Sequence, residues 1–254
     1  MKKKVKSVFL YIKIFVIIFF ILSLSLLVEY KYTKNNSNLE DDGFIMLKKA
    51  KNNDVFRYLP KDYKFIDYKY TIKGCSLSTF HRDVTSSQYS FKTKYPTYTF
   101  ARYFNTGPHL SLCPGSHKTV PFLFSNPYTI SGEKGDCYLF NGDLVHAGAL
   151  NNFEEKRHME QFKIVHIDDI LKIKDLDGNC KGNNCSPKEL HNINYTRNGG
   201  KCKINNVYII LLRKLSLFFS YFVNHVFTKM LQKNQKNFIN KLFIKITGLN
   251  YYNM

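Results

Sequence analysis

Acidic residues are missing from both ends of this chain: none precedes Glu29 and none follows Gly200. Those ends nevertheless carry Lys2, Lys3, Lys4, Lys6 and Lys13 on one side and Lys201, Lys203, Arg213, Lys214, Lys229, Lys233, Lys236, Lys241 and Lys245 on the other. Most of the formal charge of +19 therefore sits there. The same ends are the most apolar stretches. Basic charge among aliphatic residues suits a membrane surface. A nucleic-acid reader needs a recognition motif, and none occurs, so no nucleic-acid partner is expected. No internal repeat is present, which removes solenoids and propellers. No Gly-x-Ser-x-Gly occurs, which argues against a nucleophile-elbow hydrolase. His81-Arg82-Asp83 echoes a kinase catalytic loop but lacks the glycine-rich loop and Asp-Phe-Gly that should accompany it. What is present suffices for a core: 254 residues, 44% hydrophobic and 16% aromatic, exclude wholesale disorder and fit one sizeable domain with appendages.

Residues 8–28 form an apolar run interrupted by Lys13. At about 1.5 Å per residue it reaches across roughly 30 Å of hydrocarbon. The preceding lysines predict a cytosolic N-terminus and a single-pass anchor, with the rest lumenal or extracellular. The alternative is secretion after cleavage near Ser23-Leu24-Ser25. Six cysteines and three Asn-x-Ser/Thr sequons agree with that route. Cys180, Cys185, His191 and Cys202 also form an array with some likeness to a zinc site, at a spacing that matches no zinc finger.

The pattern divides the chain into 1–28, a cytosolic stub and transmembrane anchor; 29–60, a stalk and a helix over Phe44–Leu59 closed by Pro60; 61–176, a β core; 177–206, a Cys/Asn/Lys-rich loop; and 207–254, basic amphipathic helices that lie on a membrane or pack on the core. Between Tyr63 and His166, short runs rich in Tyr, Phe, Thr, Val and Ile alternate with turn clusters such as Asn105-Thr106-Gly107-Pro108 and Asn141-Gly142-Asp143. That texture predicts a mainly β sandwich or double-sheet jelly roll with flanking helices. Asp168-Asp169 are placed to cap a short helix.

A His-x-Asp at a strand end puts an imidazole and a carboxylate on one face, because strand side chains alternate. His81-Arg82-Asp83 is such a pair. With one more histidine it becomes a two-histidine, one-carboxylate set suited to non-haem Fe(II). A second copy, His166-Ile167-Asp168, is expected to be a strand end and cap.

Downstream come Pro114-Gly115-Ser116-His117, then Gly135-Asp136-Cys137-Tyr138-Leu139-Phe140, then His146, with Asn151 and Arg157 beyond it. In this order the motifs over 63–166 resemble the phytanoyl-CoA dioxygenase-like branch of the Fe(II)/2-oxoglutarate oxygenases. The resemblance implies a double-stranded β-helix (jelly roll), Fe(II) held by His81, Asp83 and His146, and 2-oxoglutarate held by Arg157. Lys156 and Lys163 are nearby alternatives, and Asn151 is either a further contact or a turn residue. It implies a hydroxylase that releases succinate and CO2 and leaves the substrate open. Arg82 within the His-x-Asp, the short interval from Asp83 to His146 and the lack of a preceding tryptophan depart from the family pattern. The competing expectation is a non-catalytic, membrane-anchored jelly-roll scaffold.

Overall fold

A computed structural model describes residues 2–26, 28–34, 36–73, 80–83, 86–118, 126–150, 157–173 and 207–218. Helix α1 (Lys2–Leu26) leads into nine strands: β1 (Tyr30–Lys31), β2 (Phe44–Leu47), β3 (Tyr63–Lys73), β4 (Tyr98–Tyr103), β5 (Gly107–Leu112), β6 (Tyr128–Gly132), β7 (Cys137–Asn141), β8 (His146–Gly148) and β9 (His158–His166). A short helix α2 (Gln88–Phe91) lies between β3 and β4, and α3 (Val207–Phe218) follows β9. The strands form two sheets. One has five antiparallel strands in the order β2-β7-β4-β9-β3; the other has four in the order β1-β6-β5-β8, in which only β1 and β6 run parallel. This is the mainly β, jelly-roll-like sandwich that the turn spacing predicts.

Alternation explains how the sheets face each other. From β7, Tyr138 and Phe140 enter the space between the sheets, with Ala101 and Tyr103 of β4, Met159 of β9, and Leu110, Leu112 and Ile130 of the four-stranded sheet. The intervening Cys137 and Leu139 face outward and are covered by Val55 and Phe56 from a 3-10 turn over Asn52–Tyr58 and by Leu59, which ends it. Both faces of β7 are thus buried, which is why its sequence reads as an unbroken apolar run. The outer face of the four-stranded sheet is closed by α3, whose Leu217 packs with Phe80, Cys113, Val145 and Ala147.

Several expectations change here. Phe44–Leu59 is not a helix but strand β2 followed by the 3-10 turn. Three of the four β2 residues are buried, so the strand lacks the alternation that marks a half-exposed one. The stretch expected to be a stalk contributes β1 to a sheet. Asp168-Asp169 lie in a 3-10 helix, Ile167–Ile173, and Asp169 accepts the Lys94 and Tyr95 N–H groups of another loop. For the expected spanning helix, the finding is that among the described residues no helix is long and apolar enough to cross a membrane. Side chains of α1 are described over residues 10–22. Apart from Lys13 they are apolar, and most are exposed, among them Leu10, Phe15, Ile17 and Ile21. Among the described residues, Cys113 and Cys137 are free, buried thiols. Asn151, the Cys180/Cys185/His191/Cys202 array, the loop 177–206 and the basic stretch 219–254 lie outside the described residues.

Candidate metal centre

The two histidines meet through the backbone. His81 forms an isolated antiparallel bridge to His146 at the free edge of β8. Each amide donates to the other's carbonyl, at 2.9 Å in both directions. Their rings lie with centroids 4.5 Å apart. Two residues on, the Asp83 N–H donates to the Gly142 carbonyl at 2.8 Å, which turns the chain inward after the bridge. Arg82, the odd residue inside the His-x-Asp, is buried. Its guanidinium donates to the carbonyls of Asp143 (2.7 Å) and Ser116 (2.9 Å). It therefore ties the tripeptide to the turn before β8 and to the Pro114–His117 turn. Ser116 completes that link, because its Oγ accepts the Val145 N–H at 2.8 Å. Gly115 takes a φ of +77° in this turn, where a side chain is strained.

The result is a three-residue cluster. His81, Asp83 and His146 each offer one donor atom, and these atoms all lie within 4.8 Å of one another. His146 Nε2 is 3.6 Å and His81 Nε2 is 4.0 Å from Asp83 Oδ1. The His146 tautomer follows from its partner. A carbonyl only accepts, so Nδ1, 2.8 Å from the Leu144 oxygen, carries the proton, and Nε2 keeps its lone pair toward Asp83. Burial, assisted by His81 and opposed by Asp83, brings His146 down to about 4, so the ring is neutral at physiological pH.

Asp83 divides its two oxygens. Oδ1 faces the imidazoles, while Oδ2 accepts from the Lys163 ammonium at 2.6 Å and from the Thr99 hydroxyl. Lys163 is fully buried and also donates to Thr99 Oγ1 at 2.8 Å. Thr99 on β4 and Lys163 on β9 are directly paired, so both point to the same side of the sheet and reach one carboxylate. Burial alone pushes the Asp83 carboxyl up. The Lys163 ammonium outweighs that, with help from His146 and His81, and holds it well below the usual carboxylate range. Lys163 and Thr99 are residues that motif reasoning passes over as partners of Asp83. The available signal was a lysine set between Phe162 and Ile164-Val165, in the apolar half of β9.

Arg157 is also buried. One Nη donates to the Ala149 carbonyl, three residues beyond His146. Among the described residues its Nε has no hydrogen-bond partner and no carboxylate pairs with it. Burial draws the guanidinium down, against the influence of Tyr103. The Tyr103 hydroxyl is likewise buried without a partner, and burial pushes it up to about 12. A buried guanidinium and a buried phenol, each with a donor unpartnered among the described residues, are a donor set that a ligand carboxylate completes.

The remaining candidates take structural places. His166 ends β9 and stacks on Tyr95 at 3.8 Å, and its Nδ1 accepts the Asp168 N–H, so the second His-x-Asp is a strand end. His117 is held by the Glu40 carbonyl. A cavity of about 430 Å³ borders Phe80, Leu150, Ile210 and Leu217. It lies outside the sandwich, behind the four-stranded sheet, and not between the sheets.

No protein-family model matches the chain, and no curated protein does. Among solved structures it is similar to SnoN, a non-heme alpha ketoglutarate dependent epimerase from nogalamycin biosynthesis (11% identity, 51% of this chain and 80% of that one, TM-score 0.36). It is also similar to EvdO2 from Micromonospora carbonacea var. aurantiaca complexed with 2-oxoglutarate (10%, 55% and 94%, TM-score 0.39) and to EctD from S. alaskensis in its apoform (12%, 56% and 82%, TM-score 0.36). At these identities and scores the similarity bears no weight for fold or chemistry, which stand on the strands and side chains of this chain.

Proposed function

We propose that the chain is an Fe(II)/2-oxoglutarate-dependent oxygenase of the phytanoyl-CoA dioxygenase-like kind, hydroxylating a C–H bond of a substrate whose class stays open. The observation that carries this is the convergence of two imidazole nitrogens and one carboxylate oxygen, with a buried guanidinium on the chain beyond one of them whose Nε has no partner among the described residues. His81 Nε2, Asp83 Oδ1 and His146 Nε2 would hold the iron; two nitrogens and one oxygen suit Fe(II) with further positions open. Arg157 would hold the distal carboxylate of 2-oxoglutarate through its planar fork, with Tyr103 as a second donor. Asn151 would add a further co-substrate contact. When bound, iron and co-substrate supply the oxidation of the C–H bond, with succinate and CO2 released.

The side chains supply orientation and charge. Burial keeps His146 neutral, and the Leu144 carbonyl fixes its single proton on the far nitrogen. Asp83 presents one oxygen because Lys163 and Thr99 occupy the other. No side chain need act as a general base. The test is succinate release from 2-oxoglutarate by the full chain, dependent on added Fe(II) and compared with His146→Ala. Turnover in the wild type alone supports the proposal, and equal turnover in both ends it.

Membrane attachment through α1, with the β domain lumenal or extracellular, belongs to the same proposal. It is supported by the lysines in the first turns of the helix and by exposed apolar side chains such as Leu10, Phe15 and Ile17. Alkaline extraction and protease protection of membranes carrying the full chain test it. Full release into the soluble fraction contradicts it.

A further inference from the structure

The His81 segment pairs with the edge of β8 through one two-bond bridge, and among the described residues Asp83 adds one further backbone bond, to Gly142. An edge held by so little backbone pairing needs support from elsewhere, and α3 supplies it from outside the sheet. Arg213 on α3 is 1% exposed. Its Nε donates to Glu29 Oε1 at 2.7 Å and its Nη2 to Glu29 Oε2 at 2.9 Å, a bidentate pair. Its Nη1 donates to the Gly148 carbonyl at 2.8 Å. The same guanidinium lies over the Phe80 ring, 4.8 Å from its centroid. One turn further along α3, Ser216 Oγ accepts the Phe80 N–H at 2.8 Å while donating to the Arg213 carbonyl at 2.7 Å. Gly148 lies two residues beyond His146, and Phe80 directly precedes His81. Glu29 is in turn fastened to the sheet, since its Oε2 accepts from Ser111 of β5 and Thr129 of β6.

We infer that Arg213 and Ser216 are positioning residues that set the separation of the His81 and His146 imidazoles. The inference rests on the reading of those histidines as metal ligands. Neither residue touches the cluster. Each grips backbone adjoining one histidine or the other, so that a single helical turn spans both segments. The polar atoms of this brace are matched, a guanidinium with a carboxylate and two carbonyl or ring faces, and a serine between an amide and a carbonyl. An apolar helix face could cover the sheet equally well but would leave the Phe80 amide without its acceptor.

The test uses the full chain with Ser216→Ala and Arg213→Lys. Two readouts are taken: backbone amide exchange, and binding of Co(II) alone followed by its visible spectrum. Loss of one buried hydrogen bond weakens such a contact by roughly tenfold. The expected result for Ser216→Ala is an unchanged melting temperature, roughly tenfold faster exchange at the His81 and His146 amides, and unchanged exchange at Phe100 and Leu139 in the other sheet. Co(II) affinity falls by about the same factor with an altered spectrum. Arg213→Lys, which cannot reproduce the fork, shifts in the same direction; if it fails to fold, Ser216→Ala decides alone. Wild-type exchange at both histidine amides in Ser216→Ala overturns the inference. Faster exchange with no Co(II) uptake even by the wild type supports the brace and overturns the metal reading.

Discussion

The five-stranded and four-stranded sheets contribute to the metal centre in different ways. The five-stranded sheet acts on Asp83 through charge: Thr99 and Lys163 project from its central strands and hold one carboxylate oxygen. The four-stranded sheet acts on the histidines through backbone: His146 sits on its edge strand and His81 is bridged to that edge. One side is a buried ion pair, expensive to leave half made. The other is a pair of hydrogen bonds at a sheet margin. Mutations on the two sides should therefore separate, with loss of global stability on the carboxylate side and loss of local geometry on the histidine side.

The largest effect is expected at the cluster itself. His146→Ala should abolish Fe(II)-dependent succinate release and weaken metal binding by more than about a hundredfold, beyond what outer partners usually contribute. Isothermal titration of Co(II) checks it, and retained binding contradicts it. Next is Lys163→Met. Removing one partner of a buried pair typically costs about 3–5 kcal/mol, so the metal-free chain should lose that much in urea unfolding. The double change Lys163→Met with Asp83→Asn should recover part of it. A cost under about 1 kcal/mol removes the contrast between the sheets.

Arg157 should behave in the opposite sense to Lys163, since among the described residues it has no acidic partner to strand. Arg157→Met should leave the metal-free chain as stable or more so. It should raise the concentration of 2-oxoglutarate needed for turnover by about 10–100-fold, the worth of one or two charged hydrogen bonds. A destabilised variant with unchanged co-substrate dependence contradicts this.

The smallest effect is with acid. His146 lies near 4 in the fold, against 6.5 unfolded, and burial also lowers His109 and His117. These groups are uncharged in the fold where the unfolded chain takes up protons. Their contribution is therefore complete above about pH 6.5 and is lost as pH falls toward 4. Melting temperature of the metal-free chain should decline over that window, and a flat profile contradicts the assignment of neutral rings.

How much of this was legible in the sequence depends on how far apart the partners lie. His81 and Asp83 stand two residues apart, and His146 and Arg157 follow in a recognisable order, so the cluster and the buried guanidinium were within reach of pattern reading. The jelly-roll texture was legible for the same reason, because turn residues mark strand ends locally. Lys163 was noticed only as a rival to Arg157. Its true partner depends on the β4–β9 register that sets Thr99 opposite it. Arg82 looked anomalous because the two carbonyls it serves come from separate turns. Arg213 is one of many basic residues in the C-terminal stretch, and its carboxylate partner, Glu29, lies 184 residues away. Phe44–Leu47 was read as helix because burial of both faces erased the alternation that identifies strands.

The most direct measurement is anaerobic equilibrium dialysis of the full-length chain against Fe(II), beside His81→Ala, Asp83→Ala and His146→Ala variants shown to be folded. The account predicts one ferrous ion per wild-type chain and its loss in each variant. Equal uptake by all four proteins, or none by the wild type, would contradict it.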